Sequence, residues 1–377
     1  MESQILVQEP LTSLLKATCS ATALVPLCNS DCFPKQADMR MSESADPPFE
    51  IAYKHLLEKA PKNVQKSLST VEECELPLID MQQLGVGEAE RQECKRLIAR
   101  ASQEWGFFQV INHGASRDVL ENMRSEQVKL MRKPFQEKKA YKDLKLSDGT
   151  YRWGTPLPTS LKQLSWSEAF HVRLSDILDS HCSHNTIRLR SSMEEFVFAI
   201  CEVARELAEV LAEEMGRETD LFREACLPES CYLRLNRYPP CPNYSHMMGL
   251  MPHTDTSFLT VLHQDNVGGL QLVKDGKWIA VRPNPDALII NIGDLFQAWS
   301  NNLYKSVEHR VVANPVKERF STAYFLCPPT ETVIESGGVG GAAYRTFSFG
   351  EYKKQIELDV KNVGQKIGLP RFLLPTH

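Results

Sequence analysis

The sequence is 377 residues long, and several things it lacks narrow what it can do. It has no Cys-x-x-Cys pair although it holds 11 cysteines, so neither a zinc ribbon nor a thioredoxin-like redox site is expected. The odd count and irregular spacing, from Cys19 and Cys28 to Cys327, read as reduced thiols in a reducing compartment. No apolar run approaches the roughly 20 residues of a membrane-spanning helix. Nothing at the start joins a charged segment to an apolar one, which argues against secretion. Positive charge is not in excess. The 43 Lys and Arg face 48 Asp and Glu, a net charge of -5, without the basic field that general nucleic-acid binding needs. No internal repeat is visible. Neither a nucleic acid nor a membrane is therefore an expected partner.

What is present belongs to a globular chain: 42% hydrophobic and 24% charged residues, enough for a large core. At about 150 residues per domain the length allows two or three domains, or one large barrel-type domain. Residues 1–46 differ from the rest. They hold three cysteines and scattered Ser, Thr and Pro without periodicity, and read as a disordered leader. Glu2, Glu9, Asp31 and Asp38 and the scarcity of Arg argue against a transit peptide, and Met41 offers a second start. The expected compartment is the cytoplasm, with the nucleus accessible and a plastid left open by the leader.

Beyond a helical lead-in (49–69), Leu76-Pro77-Leu78-Ile79-Asp80 reads as a strand. Residues 89–105 read as an amphipathic helix, 106–112 as a strand and 117–135 as a second helix. Residues 144–165, with Tyr151-Arg152-Trp153-Gly154, read as a loop lining a site. Residues 191–215 give the strongest helix, its stripe formed by Met193, Phe196, Ile200, Val203, Leu207, Val210 and Leu211 and its stop by Gly216. After Pro228, short β-branched or aromatic runs at 230–237, 258–263, 269–273, 278–281, 287–291, 306–312 and 319–326 alternate with turns such as Asp275-Gly276 and Gly293-Asp294. That spacing predicts a sandwich, barrel or jelly roll. A last helix is expected over about 350–366.

The β half contains His253-Thr254-Asp255. Residues i and i+2 of a strand share a face, so the imidazole and the carboxylate can converge. His309 lies 54 residues on, in another strand-like run. Two imidazoles and one carboxylate leave three positions of an octahedral metal open, the facial triad of non-haem Fe(II) oxygenases. Alone, either element reads as an ordinary histidine or a turn aspartate. Ten residues after His309 comes Arg319-Phe320-Ser321, where a guanidinium fork and a hydroxyl on one face form a carboxylate receptor. The order HxD, H, RxS inside an all-β run favours function over chance.

In these motifs the sequence resembles the plant Fe(II)- and 2-oxoglutarate-dependent dioxygenases. The resemblance runs from about residue 47 to the C-terminus. It includes Asn236-Arg237-Tyr238-Pro239-Pro240-Cys241-Pro242 and the stretch Trp105-Gly106-Phe107-Phe108-Gln109-Val110-Ile111-Asn112-His113-Gly114. It implies an α+β, mainly β fold: a double-stranded β-helix (a cupin-like jelly roll) with a helical N-terminal region and flanking helices. Its parts would be an N-terminal dioxygenase region (47–180), a long support helix (181–228), the catalytic core (229–345) and a C-terminal helix and tail (346–377). Iron would be held by His253, Asp255 and His309, and 2-oxoglutarate by Arg319, Ser321 and Tyr238 with Asn236 close by. O2 is the second co-substrate, and ascorbate would keep the iron reduced.

Two further stretches, Tyr151-Arg152-Trp153-Gly154-Thr155-Pro156 and Gln163-Leu164-Ser165-Trp166-Ser167-Glu168-Ala169-Phe170-His171, are similar to gibberellin 2-oxidases of the class acting on C20 gibberellins. The resemblance implies 2β-hydroxylation of a diterpenoid acid that inactivates the hormone or its precursor. A gibberellin is an apolar body with a carboxylate, so its pocket should be apolar with one or two cations. Arg152, flanked by Tyr151 and Trp153, is a candidate carboxylate partner, the other reading being a solvated arginine packed on Trp153. Phe296 and Trp299 are candidate pocket residues whose simpler reading is core packing. His113 and His263 read as structural, and His246 has no evident role. The alternatives are the same chemistry on another gibberellin carbon, a flavonoid or an alkaloid, or a jelly-roll binding module without catalysis.

Overall fold

A computed structural model describes residues 44–59, 71–140, 150–156, 158–178, 187–225, 230–242, 247–337 and 341–375. Residues 1–43 of the expected leader, residues 144–149 and His246 lie outside the described residues. Residues 44–46, expected as part of the disordered leader, are instead held in the fold: Asp46 pairs with Arg237 Nη2 at 2.7 Å and the Ala45 carbonyl accepts from Lys138 Nζ at 2.6 Å.

Thirteen strands build two facing sheets. They are β1 (Glu73–Cys74), β2 (Leu78–Asp80), β3 (Phe107–Ile111), β4 (Tyr151–Trp153), β5 (Glu168–Arg173), β6 (Tyr232–Tyr238), β7 (Met248–His253), β8 (Leu259–Gln264), β9 (Leu270–Lys274), β10 (Lys277–Val281), β11 (Leu288–Ile292), β12 (His309–Val312) and β13 (Arg319–Leu326). The larger sheet runs β2-β3-β11-β8-β13-β6-β5-β4 and the smaller β1-β10-β9-β12-β7. This is the jelly roll expected from the short, turn-separated β runs, with helices flanking it.

The alternation of side chains explains why β6 and β13 lie at the centre. In β6, Leu233 and Leu235 are fully buried in the main core cluster under the helices. The intervening Tyr232, Arg234, Asn236 and Tyr238 line a cavity instead. On β13 the residues facing that cavity are Arg319, Ser321, Ala323 and Phe325.

The helices Glu88–Glu104, Arg117–Met131 and Ile187–Glu214 back the larger sheet. All seven residues of the expected stripe on the long helix are buried, from Met193 to Leu211. The chain then turns at Gly216 with a positive φ of 67°, a backbone state glycine reaches without a Cβ clash. Ser116 caps the second helix by accepting from Val119 N at 3.3 Å, and Ser348 caps the last helix, Phe349–Val363, by accepting from Glu351 N at 3.1 Å.

Three local expectations need correction. Tyr151–Trp153 is a strand, paired antiparallel with β5 at the edge of the larger sheet, where a loop was expected. Gly293-Asp294, expected as a turn, opens the short helix Asp294–Trp299. And β7 ends at His253, so Asp255 sits in the loop beyond the strand and not on its face.

Candidate functional site

The register of the sheets assembles the site. His309 opens β12 and pairs directly with His253 at the end of β7, so two imidazoles 56 residues apart in sequence come side by side with ring centroids 4.3 Å apart. Asp255 reaches the same point from the loop. Its Oδ1 is 3.6 Å from His253 Nε2 and 3.8 Å from His309 Nε2. One ligand atom from each of the three lies within 4.8 Å of the others, a grouping able to hold a metal ion.

The surroundings prepare those atoms for a cation. His253 Nδ1 lies 2.7 Å from the carbonyl of Met251, and His309 Nδ1 lies 3.1 Å from that of Val307. A carbonyl only accepts, so each Nδ1 carries the proton and each Nε2 presents a lone pair. Asp255 Oδ2 accepts from Thr260 Oγ1 at 2.7 Å and Asn291 Nδ2 at 2.8 Å, leaving Oδ1 toward the histidines. Burial, with His309 beside it, pushes His253 down to about 3. Burial alone would raise the Asp255 carboxyl, but His309, His253 and the bonds from Asn291 and Thr260 outweigh it and hold it at about 2. A neutral imidazole beside an ionised carboxylate is the protonation state a metal requires.

Across the cavity stands a second polar group. Register opposes Arg319 to Tyr238, and Ser321 to both Asn236 and Gln264. Arg319 is 1% exposed. Its Nη2 donates to Gln264 Oε1 at 2.7 Å and its Nη1 to Ser321 Oγ at 3.4 Å, and the guanidinium lies 4.9 Å from the Tyr238 ring centroid. Arg319 Nε and Gln264 Nε2 are buried without a hydrogen-bond partner. Among the described residues no carboxylate faces this buried cation. A buried charge of that kind is costly unless an anion arrives to pair with it. The donor set therefore fits a carboxylate co-substrate.

Between these groups lies a cavity of about 200 Å3 that opens to solvent. Phe107, Leu250, Leu262, Leu270, Val311 and Phe325 supply its apolar lining. It also holds a second guanidinium, Arg234. Among the described residues Arg234 has no carboxylate or other side-chain partner. Its neighbour His171 stacks on Tyr232 at 4.2 Å, and Tyr232 on Phe325 at 4.4 Å. Burial, then the charges of Arg234, Arg152, Arg173 and Lys353, push His171 down to about 4.

Of the residues expected from sequence, His253, Asp255, His309, Tyr238, Asn236, Arg319 and Ser321 all line this cavity. The expected substrate residues are placed elsewhere. Tyr151 donates to Glu168, Trp153 packs edge-on against Phe49 and Phe135, and Arg152 is exposed on the edge strand β4. Phe296 and Trp299 sit with Phe222 and Phe258 in a buried aromatic cluster. Sequence reasoning missed Arg234, His171, Gln264, Asn291 and Thr260. For Arg234 a signal existed, since it stands two residues before Asn236 and so shares its face of β6.

A jelly roll carrying two histidines and an aspartate at one end of its cavity and a buried, anion-seeking arginine at the other defines a non-haem iron oxygenase that uses an oxoacid. Comparison with known proteins agrees. Residues 229–328 match the model of the 2OG-Fe(II) oxygenase superfamily, and residues 76–190 that of the non-haem dioxygenase N-terminal region named for morphine synthesis. The chain belongs to the Fe(II)- and 2-oxoglutarate-dependent dioxygenases. It is 56% identical to gibberellin 2-beta-dioxygenase 8 of Arabidopsis thaliana, covering 87% of this chain and 98% of that one. It is 49% identical to gibberellin 2-beta-dioxygenase 6 of Oryza sativa subsp. japonica, covering 87% and 96%. Among solved structures, JOX2 in complex with 2-oxoglutarate, iron and JA superposes with a TM-score of 0.67 at 29% identity, covering 88% of this chain and all of that one. The rice dioxygenase for auxin oxidation superposes with 0.65 at 26%, covering 80% and 100%. Among the described residues no helix is long and apolar enough to cross a membrane.

Proposed function

We propose that the chain hydroxylates a gibberellin at C2, on the β face. Fe(II) would be held by His253, Asp255 and His309. The distal carboxylate of 2-oxoglutarate would be held by Arg319 and Ser321, with Tyr238, Asn236 and Gln264 around it. Bound together, iron and 2-oxoglutarate supply the oxidising power, so that 2-oxoglutarate, O2 and substrate C–H become succinate, CO2 and substrate C–OH. The protein's own part is placement. The carbonyls of Met251 and Val307 fix the histidine tautomers, Asn291 and Thr260 aim the Asp255 carboxylate, and the apolar walls exclude water.

The observation that carries the substrate reading is Arg234, a guanidinium on the wall of the same cavity with no carboxylate or other side-chain partner among the described residues, in a chain most of which aligns with gibberellin 2-beta-dioxygenases. An apolar tetracyclic acid needs that combination: a greasy wall and one fixed cation. We assign its carboxylate to Arg234, in place of Arg152.

Purified protein with Fe(II), 2-oxoglutarate, ascorbate and either C20 or C19 gibberellins should give a product heavier by one oxygen atom, with succinate formed one for one. Turnover of a flavonoid or another plant acid with none of any gibberellin overturns the substrate and leaves the chemistry. His253→Ala and Asp255→Ala should abolish turnover, and survival of function in either variant overturns the enzyme reading. Arg234→Met should raise the gibberellin KM about 10- to 100-fold, the loss of one charge-assisted hydrogen bond, with the 2-oxoglutarate KM unchanged. Equal effects on both KM values would remove Arg234 from the substrate side.

A further inference from the structure

The two proposed ligands His253 and Asp255 are separated by a single residue, Thr254, which lies beyond the end of β7 and has no ladder to hold it. Another part of the chain grips it. Lys366, which follows the C-terminal helix Phe349–Val363, donates from Nζ to the Thr254 carbonyl at 2.8 Å and to Thr254 Oγ1 at 2.9 Å. The same ammonium also pairs with Asp294 Oδ2. Its three N–H donors are matched by three acceptors.

The anchor beneath is equally closed. Asp294 is 3% exposed. Its Oδ2 also accepts from Thr254 Oγ1 at 3.1 Å and from Tyr352 OH at 2.5 Å, Tyr352 belonging to the same C-terminal helix. Its backbone N–H donates to the Asp255 carbonyl at 2.8 Å. Asp294 thus holds the Thr254 side chain and the carbonyl of the next residue, Asp255. Gly368 lets the chain pass this close. Its φ is +76°, and a Cβ there would come within 3.1 Å of both Lys366 Cε and Tyr352 OH.

We propose that Lys366, working through Asp294 and Tyr352, is a positioning residue for the iron site: the C-terminal segment sets the angle at which His253 and Asp255 are presented. None of the three touches the space between the ligand atoms. They act on the backbone of the residue between two ligands, the place where a small rotation separates the two donor atoms most. This inference rests on the assignment of His253, Asp255 and His309 as metal ligands.

The test is a titration of the metal-free full chain with Co(II), followed by its visible ligand-field absorption, alongside the melting temperature of the metal-free chain. Lys366→Met should weaken Co(II) binding about 10- to 100-fold, as loss of outer-sphere support does, and alter the ligand-field spectrum. Arg371→Gln, which breaks the Arg371–Asp359 pair in the same segment, should leave both unchanged and so controls for loosening of the C-terminus. Lys366→Met with Co(II) affinity and spectrum within twofold of wild type overturns the proposal. So does Arg371→Gln weakening binding equally, since general loosening would then explain both. If Lys366→Met does not fold, Tyr352→Phe decides in the same assay: a severalfold loss supports the latch and an unchanged affinity overturns it. A wild-type chain that binds no Co(II) overturns the ligand assignment itself, a result distinct from the others.

Discussion

Arg319 and Arg234 bring the same charge into one cavity under different conditions. Arg319 is buried, braced by Gln264 and Ser321 and set over the Tyr238 ring, so its fork points one way. Arg234 is half-buried and has no side-chain brace among the described residues, which suits a ligand that enters and leaves. The bracing should matter for affinity. Gln264→Leu removes the acceptor of a charged donor at 2.7 Å, a bond worth about 1.5–3 kcal/mol. The expected result is a 10-fold or greater rise in the 2-oxoglutarate Kd, read by titrating the Co(II)-loaded chain, with Co(II) affinity unchanged. A Kd within twofold of wild type would show that Ser321 and the Tyr238 ring suffice. The pair Arg319 and Ser321 was legible in the sequence because two residues on one strand carry their own geometry. Gln264 was not, because its partnership depends on the register of β8 against β13, which brings together residues 55 positions apart. Asn291, bonded to a carboxylate 36 positions away, was hidden for the same reason.

At the level of elements, the alternation of short β-branched or aromatic runs with turns marked most strands of the jelly roll, and the helices back those of the larger sheet. It failed at β4. Gly154 and Pro156 punctuate that stretch like a loop, and three residues are too few to show a period, so β5 supplies the pairing that makes it a strand. It also failed at Asp255, where the pattern continues past the point at which β7 stops. The packing of β7 on β6 adds a constraint no pattern reveals. Gly249 lies so close to Tyr238 that a Cβ would stand 2.6 Å from the ring Cδ1 and 3.4 Å from Val311 Cγ1. Gly249→Ala must therefore push the ring that stands over Arg319. An overpacked contact of this kind costs about 1–3 kcal/mol. We expect a lower melting temperature and a severalfold rise in the 2-oxoglutarate KM, with Co(II) binding like wild type. A fall in Co(II) affinity larger than the change in KM would mean that the strain is relieved toward β12 and the histidines.

The molecule as a whole buries imidazoles that fold best uncharged, and this sets how it meets acid. Burial, then the charges of nearby arginines and Lys353, push His171 down to about 4. Burial, then Arg124 and His113, push His263 to about 4, and burial with His309 takes His253 to about 3. In the unfolded chain each would titrate near 6.5. Between about pH 6.5 and 4 the unfolded state therefore binds protons that the folded state refuses. Stability is fully present above 6.5 and is lost as pH falls through that window. Each histidine contributes a slope of up to about 1.4 kcal/mol per pH unit, so three together reach about 4. Against a typical total of 5–15 kcal/mol, two pH units can unfold the metal-free chain. The carboxyl of Asp255, held at about 2, adds its own loss only below the ordinary carboxylate range near 4. Urea unfolding of the chelator-treated chain should thus show a midpoint that falls steeply from pH 6.5 to 4.5 and is flat from 7 to 8. His263 is not a proposed ligand and does not line the cavity, so His263→Leu isolates one proton. It should reduce the slope by about a third while leaving the flat region flat. An unchanged slope would mean that His263 charges freely in the folded state, and that the acid limit of the molecule lies in its carboxylates instead. Added Co(II) should shift the whole fall to lower pH, since the metal binds only the folded form and holds His253 and His309 unprotonated.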